Sequence, residues 1–249
     1  MFERHWNEAQ QYTFTAALDS GGWAWEFLRR NPEYRRDWSW FRDTWERLEA
    51  RYGKPPERDF VSWQGDPEAW RMAESAADDC AAEPERLLIE CWMGEKWGFY
   101  KFPLDPATDR PQPGIQLHWR EVEQLIPVVD DAASSYLKDD DTRIALGFDL
   151  DMPLRGQLER AKRLLQARQG RLRREGIIEL QTVAGCCAEW TLMLRILDGI
   201  DRGASPDAIA ALLGMEQPQP VAAAQVMALH AQARELTAGG YRRLLLLPA

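Results

Sequence analysis

The chain has 249 residues, 45% of them hydrophobic and 29% charged, enough to bury a sizeable core in one large or two modest domains. A formal net charge of −9 argues against nucleic-acid binding by the molecule as a whole, and no apolar run reaches the ~18 residues of a membrane span. The amino terminus has no basic start before an apolar stretch, and Cys80, Cys91, Cys186 and Cys187 make no Cys-x-x-Cys pair, so a reduced cytoplasmic setting is expected.

Eleven of the 12 tryptophans lie at or before Trp119, which predicts different cores for the two ends of the chain. In the first region Asp19-Ser20-Gly21-Gly22 is a cap or turn signal, and Trp23, Phe27 and Arg30 follow at helical spacing. Asn31 is the expected N-cap of a second helix, with Pro32 at its first position. Trp38, Phe41, Trp45, Leu48 and Tyr52 recur at steps of three and four along that helix, and Gly53 before Pro55-Pro56 stops it. Arg29, Arg30, Arg35 and Arg36 interleave with aromatics, as a nucleic-acid surface or as a solvated helix face over an aromatic core. Residues 1–60 hold 10 basic and 11 acidic side chains, which favours the solvated face.

The middle of the chain reads as mixed. Residues 54–79 predict a loop with a short helix near Glu68 to Ala77, and a further helix is expected from about Glu83 to Met93. Trp97–Phe102, Ile115–Trp119 and Arg143–Phe148 look like strands of a small antiparallel sheet, with Asp139-Asp140-Asp141 as a turn.

From Leu154 the character changes. Leu154, Leu158, Ala161, Leu165 and Arg168 mark a long helix, and residues 153–176 hold eight basic side chains against two acidic ones, a local excess of six positive charges. A helix from about Leu180 to Ile200 follows, with Val183, Cys187, Trp190, Leu194 and Leu197 on one side. Ser205 then caps a short helix that Gly214 is expected to end with a left-handed exit. After the turn Met215–Pro220 comes a last helix, from about Val221 to Thr237. Ala210 and Gly214 stand where a helix-turn-helix needs a small residue and a turn glycine, although the turn is longer than the usual three or four residues. Ala222, Val226, Leu229, Ala233 and Leu236 form the buried stripe of the last helix. Its outer face carries Ala223, Ala224, Met227, Ala228, Ala231, Arg234 and Glu235, flanked by Gln225, His230 and Gln232.

Two stretches resemble a known family. Ser20-Gly21-Gly22-Trp23-Ala24-Trp25-Glu26-Phe27-Leu28-Arg29-Arg30-Asn31-Pro32-Glu33-Tyr34, with Asp37-Trp38 beyond it, is similar to the transcriptional-regulator-like amino-terminal domain of proteobacterial proteins. Phe148-Asp149-Leu150, Pro153-Leu154, Gln157-Leu158, Arg163–Gln169 and the terminal Ala238-Gly239-Gly240-Tyr241-Arg242-Arg243 resemble the carboxy-terminal domain that follows it in regulators of integrative and conjugative elements. The resemblance implies a DNA-associated regulator of element transfer. It also implies an alternative, an antiactivator that works by binding another regulator.

Enzyme readings have little to stand on. His5, His118 and His230 lack metal-ligand spacing, Asp149-x-Asp151 has no third ligand, and there is no phosphate loop or nucleophile motif. The expected fold is mainly α with a small antiparallel β element and a helix-turn-helix-like carboxy-terminal bundle. The expected domains are residues 1–60, 61–152 and 153–249. Double-stranded DNA is the expected partner, with Gln225, Gln232, Arg234, Arg242, Arg243, Arg171, Arg173 and Arg174 as candidate contacts. Ala224, Met227, Ala228 and Ala231 are candidates for a protein partner. No enzyme activity, cofactor, metal or membrane contact is expected.

Overall fold

The computed structural model describes residues 4–72, 86–109, 118–122, 144–216 and 221–248. By its contacts the chain divides into two compact units, one formed by Met1–Val122 with Val183–Ala249 and the other by Glu123–Thr182. The architecture is mainly α-helical with a small antiparallel pair of strands, the class the sequence predicts.

In the first unit a 3-10 stretch, Ala9–Ala17, leads into α1 (Ser20–Leu28), whose first turn is closed by the Asp19 carboxylate accepting from the Gly22 amide at 2.7 Å. Asn31 Oδ1 accepts from the amides of Glu33 and Tyr34 and caps α2 (Pro32–Tyr52). Gly53, at a φ of 82° that a side chain would resist, ends it. The short α3 (Phe60–Gly65) brings Trp63 against Trp45 of α2. Strands β1 (Trp70–Met72) and β2 (Arg86–Leu88) pair antiparallel and lead into α4 (Ile89–Trp97). The carboxy-terminal part supplies α6 (Val183–Asp201), α7 (Pro206–Glu216), α8 (Ala223–Glu235) and α9 (Tyr241–Leu244). The second unit contributes α5 (Leu154–Arg174).

The two ends of the chain share one core. Trp23 of α1 packs edge-on against Trp190 of α6 at 5.2 Å, and Asn31 donates to the Thr237 carbonyl at 2.8 Å. Trp23, Phe27, Tyr34, Leu48, Trp190, Leu194, Ala233 and Tyr241 belong to a single buried cluster. Burial of several large aromatics, each covering much apolar area, is the main stabilising contribution here.

The structure corrects several local expectations. Arg29 and Arg30 form neither a nucleic-acid surface nor a solvated face, because both are buried. Arg30 is held by Asp198 and by Glu26 at 2.7 Å, while Arg29 reaches Asp109, the Thr108 carbonyl and Glu26. Burial pulls the Arg29 guanidinium down to about 10, against the attraction of Glu26. The same desolvation acts on Arg30, but Asp198 and Glu26 more than offset it and hold its proton more tightly than usual.

The strands also lie elsewhere. Trp97 ends α4, Gly98 turns the chain at a φ of 85°, and only Phe99 forms a bridge, to Trp119. Residues 144–148 take no regular structure. The helix expected from Glu83 begins at Ile89 instead, because residues 86–88 pair with β1 and bury Leu87. Residues 67–69 form a 3-10 turn and 70–72 a strand where a helix was expected. The remainder of that helix, Ile115–Leu117, Asp139–Asp141 and Cys80 lie outside the described residues.

Candidate nucleic-acid interface

Helices α6, α7 and α8 close a second small core around Ile196, Ile209, Ala210, Leu213 and Val226, with Trp6, Leu192 and Leu229 packed on it. Ser205 caps α7 as expected, its hydroxyl accepting from the Ala208 amide at 3.2 Å. Gly214 does not provide an exit, however, because α7 runs through it to Glu216. The reason lies across the core. Arg195 of α6 donates to both carboxylate oxygens of Glu216, at 2.6 and 3.0 Å, and anchors the extra turn. This hydrogen bonding holds the Glu216 carboxyl below its usual range. Residues 217–220, the rest of the expected turn, lie outside the described residues.

Helix α8 turns Val226 and Ala233 inward and leaves Ala224, Gln225, Met227, Ala228, Ala231, Gln232 and Arg234 exposed. Candidate base-edge and partner residues therefore share one open face. Of the sequence-expected buried stripe, Val226 and Ala233 are buried and Leu229 and Leu236 half-buried, while Ala222 is exposed. His230 is half-buried, and that burial together with Arg234 disfavours its charged form.

Beyond α8 the chain passes through a π-helical turn, Leu236–Gly240, in which Gly239 takes a φ of 138°. This conformation, open to glycine, redirects the chain into α9. There the buried Tyr241 hydroxyl donates to the Trp97 carbonyl at 3.0 Å. Arg242 and Arg243 are exposed on α9. Arg242 lies along Gly98 and donates to the Lys96 carbonyl, so part of its donor capacity is already used.

In the second unit, Gln157 brackets the turn before α5, accepting from the Asp149 amide at 2.8 Å and donating to the Asp149 carbonyl at 2.9 Å. The helix ends in a Schellman turn: the Ile177 amide reaches the Leu172 carbonyl at 3.0 Å, with Gly176 at a φ of 70°. Arg155, Arg160, Lys162, Arg163, Arg171, Arg173 and Arg174 are exposed along α5, and Arg168 is half-buried. Three of these, Arg171, Arg173 and Arg174, occupy the last turn, where the helix dipole favours cations. The ion pair of Arg171 with Glu175, 3.7 Å apart, is solvent-exposed and weak. The structure thus places Arg171, Arg173 and Arg174 together on α5, Gln225, Gln232 and Arg234 on α8, and Arg242 and Arg243 on α9.

Sequence reasoning missed the Arg195–Glu216 pair and the role of Trp6 in the α6–α8 core. A 21-residue separation in one case and a 189-residue separation between Trp6 and Arg195 in the other leave no local periodic signal. Among the described residues no group of three His, Cys, Asp or Glu side chains could hold a metal, and no helix is long and apolar enough to cross a membrane.

Two family models match the chain. Residues 5–60 match the proteobacterial transcriptional regulator-like domain, and residues 145–246 match a model described as "T6SS, Transcription factor, DNA binding domain". No curated protein and no solved structure matches. The two domain matches indicate a transcriptional regulator with a DNA-binding domain.

Proposed function

We propose that this chain regulates transcription by binding duplex DNA: the basic helix α5 of one unit grips phosphate, and the open face of α8 in the other unit is a separate candidate for base contact. The observation that carries the reading is the excess of six positive charges within residues 153–176 of an otherwise acidic chain, with seven of the eight basic side chains exposed. Phosphate neutralisation requires such clustering. It falls inside the segment matched by the DNA-binding model. In this reading Arg171, Arg173 and Arg174 meet phosphates. Gln225 and Gln232 approach base edges, where amide side chains pair well with adenine. Arg234, Arg242 and Arg243 contact the backbone. The chain acts as a cytoplasmic regulator and not as an enzyme.

The regulated genes are those of mobile-element transfer, on the resemblance of both ends of the chain to regulators of such elements. The T6SS transcription-factor domain matched by residues 145–246 offers T6SS genes as the rival target. Fluorescence anisotropy with fragments from upstream of each gene class separates them. Tight binding to the transfer fragments alone supports the first assignment, and tight binding to T6SS fragments alone overturns it.

One observation favours a second reading. Ala224, Met227, Ala228 and Ala231 make an open, uncharged surface on α8, which suits another regulator better than phosphates. Met227→Asp distinguishes the two. Loss of partner co-purification with intact DNA binding supports the protein-contact reading, and loss of DNA binding supports the reading helix.

A further inference from the structure

One stripe of α6 is given over to the amino-terminal arm. Cys187, Thr191, Arg195 and Asp198 recur at steps of four, four and three, and each meets the arm between residues 6 and 15. Cys187 donates to the Thr15 carbonyl at 3.8 Å, and Thr191 shares a hydrogen bond with the Thr15 hydroxyl at 2.9 Å. Asp198 accepts from Tyr12 at 2.6 Å, and Arg195 Nε donates to the Trp6 carbonyl at 3.0 Å. The arm thus runs antiparallel along α6. At Gly199 an added Cβ would stand 3.1 Å from the Trp6 indole and 3.0 Å from Ile209 of α7, so glycine lets the arm and α7 close on α6 at one point. Trp6 is seated there on the core that also buries Val226 of α8.

Arg195 is the junction. It is 3% exposed, and its two terminal nitrogens hold both oxygens of Glu216 in a bidentate fork. A buried guanidinium is stable only where its donors are met. Here the arm meets it on one side and the last residue of α7 on the other.

We propose that Arg195 is a positioning residue for base reading: through it the docked arm fixes where α7 ends, and with that the presentation of α8. The segment that matches the DNA-binding model is then incomplete by itself, because Trp6 belongs to the segment matched by the regulator-like domain. Release of the arm blurs base discrimination and leaves phosphate binding by α5 in place. The role in reading rests on the base contact proposed for α8 above, whereas the seating of α7 does not.

Hydrogen exchange on the full-length chain without DNA tests the seating. The wild type is expected to protect the amides of Leu213–Glu216. Trp6→Ala and Glu216→Gln should each speed their exchange about tenfold or more, the scale of one lost charge-assisted hydrogen bond. Trp6→Phe, which still fills the seat, should keep the protection. Competition anisotropy then tests the reading, on a duplex selected by the wild type from a random pool and on its scrambled form. Trp6→Ala and Glu216→Gln are expected to lower discrimination about tenfold, the scale of one displaced base contact. Binding to the scrambled duplex and its salt slope should not change, whereas a merely structural loss would weaken both duplexes together. Exchange at the end of α7 that is indifferent to Trp6→Ala overturns the seating, and faster exchange with full discrimination overturns the positioning role. A wild type that favours no duplex removes base reading by α8 and with it the positioning role, while the exchange result still decides the seating.

Discussion

Asp198 accepts from two nitrogens of Arg30, Nε at 2.7 Å and Nη2 at 2.8 Å, across 168 residues of chain. The Tyr12 hydroxyl donates to the same carboxylate at 2.6 Å, and Glu26 takes the remaining side of the guanidinium. All four side chains are buried, so Asp198 and Glu26 offset a guanidinium charge that water cannot reach, and the neutral Tyr12 hydroxyl adds a hydrogen bond to Asp198. The amino-terminal helices are thereby tied to α6, which also carries the core beneath α7 and α8.

Breaking this pair leaves a buried charge uncompensated. Arg30→Ala or Asp198→Ala is expected to cost about 3–5 kcal/mol of stability, measured by urea unfolding at neutral pH. A cost near zero would mean that the pair is not formed. The folded Asp198 carboxyl lies below its ordinary value of 3.8: burial pushes it up, and Arg30 and Tyr12 more than reverse this. Its contribution is complete above 3.8 and is lost as pH falls through the depressed value. Asp198→Asn should flatten that acid limb of the stability curve.

Glu90 shows the opposite behaviour. Burial raises its pKa, its Oε2 has no hydrogen-bond partner among the described residues, and Arg58 and Lys101 offset the penalty only in part. The folded state therefore holds this proton more tightly than the unfolded chain, so stability contributed here falls as pH rises from 4.5 through the folded value. Glu90→Gln is expected to raise the urea midpoint at pH 7 and to change it little in acid. A lower midpoint at pH 7 would count against this account.

The shared core makes a prediction about fragments. A chain of residues 183–249 alone loses Trp23 from Trp190, Arg30 from Asp198 and Asn31 from Thr237. It is expected to lack cooperative thermal unfolding, and co-expression with residues 1–122 should restore it. Cooperative unfolding of the isolated fragment would show that the amino-terminal helices are dispensable to it.

Base reading by α8 carries its own signature. Gln225→Ala or Gln232→Ala should reduce discrimination between cognate and scrambled duplex by about 1–3 kcal/mol while leaving binding to scrambled DNA unchanged. Competition binding measures both quantities. An equal loss on both duplexes would assign these residues to the backbone or to the fold.

The parts of this fold that were legible in the sequence are those set by neighbours in the chain. Asn31-Pro32 and Gly53 bound α2 through capping and left-handed geometry, and both ends fall where the residues require. The basic face of α5 followed from composition alone. What escaped was set at long range. Arg29 and Arg30 carry no local sign of burial, since their environment depends on Asp109 and Asp198, far along the chain. Alternation at 143–148 resembled a strand, but the described residues 144–148 take no regular structure. Gly214 was read by type, whereas Arg195 keeps the helix running past it.

The central claim is that scarce, clustered arginines grip phosphate, and the salt dependence of DNA binding tests it most directly. Anisotropy titrations across a salt series should give a straight line of log affinity against log salt for the wild type. For Arg171→Ala/Arg173→Ala/Arg174→Ala the slope should shrink by up to about 2.7, near 0.9 per lost phosphate contact. A slope unchanged by the triple substitution, or no binding by the wild type at low salt, would contradict the account.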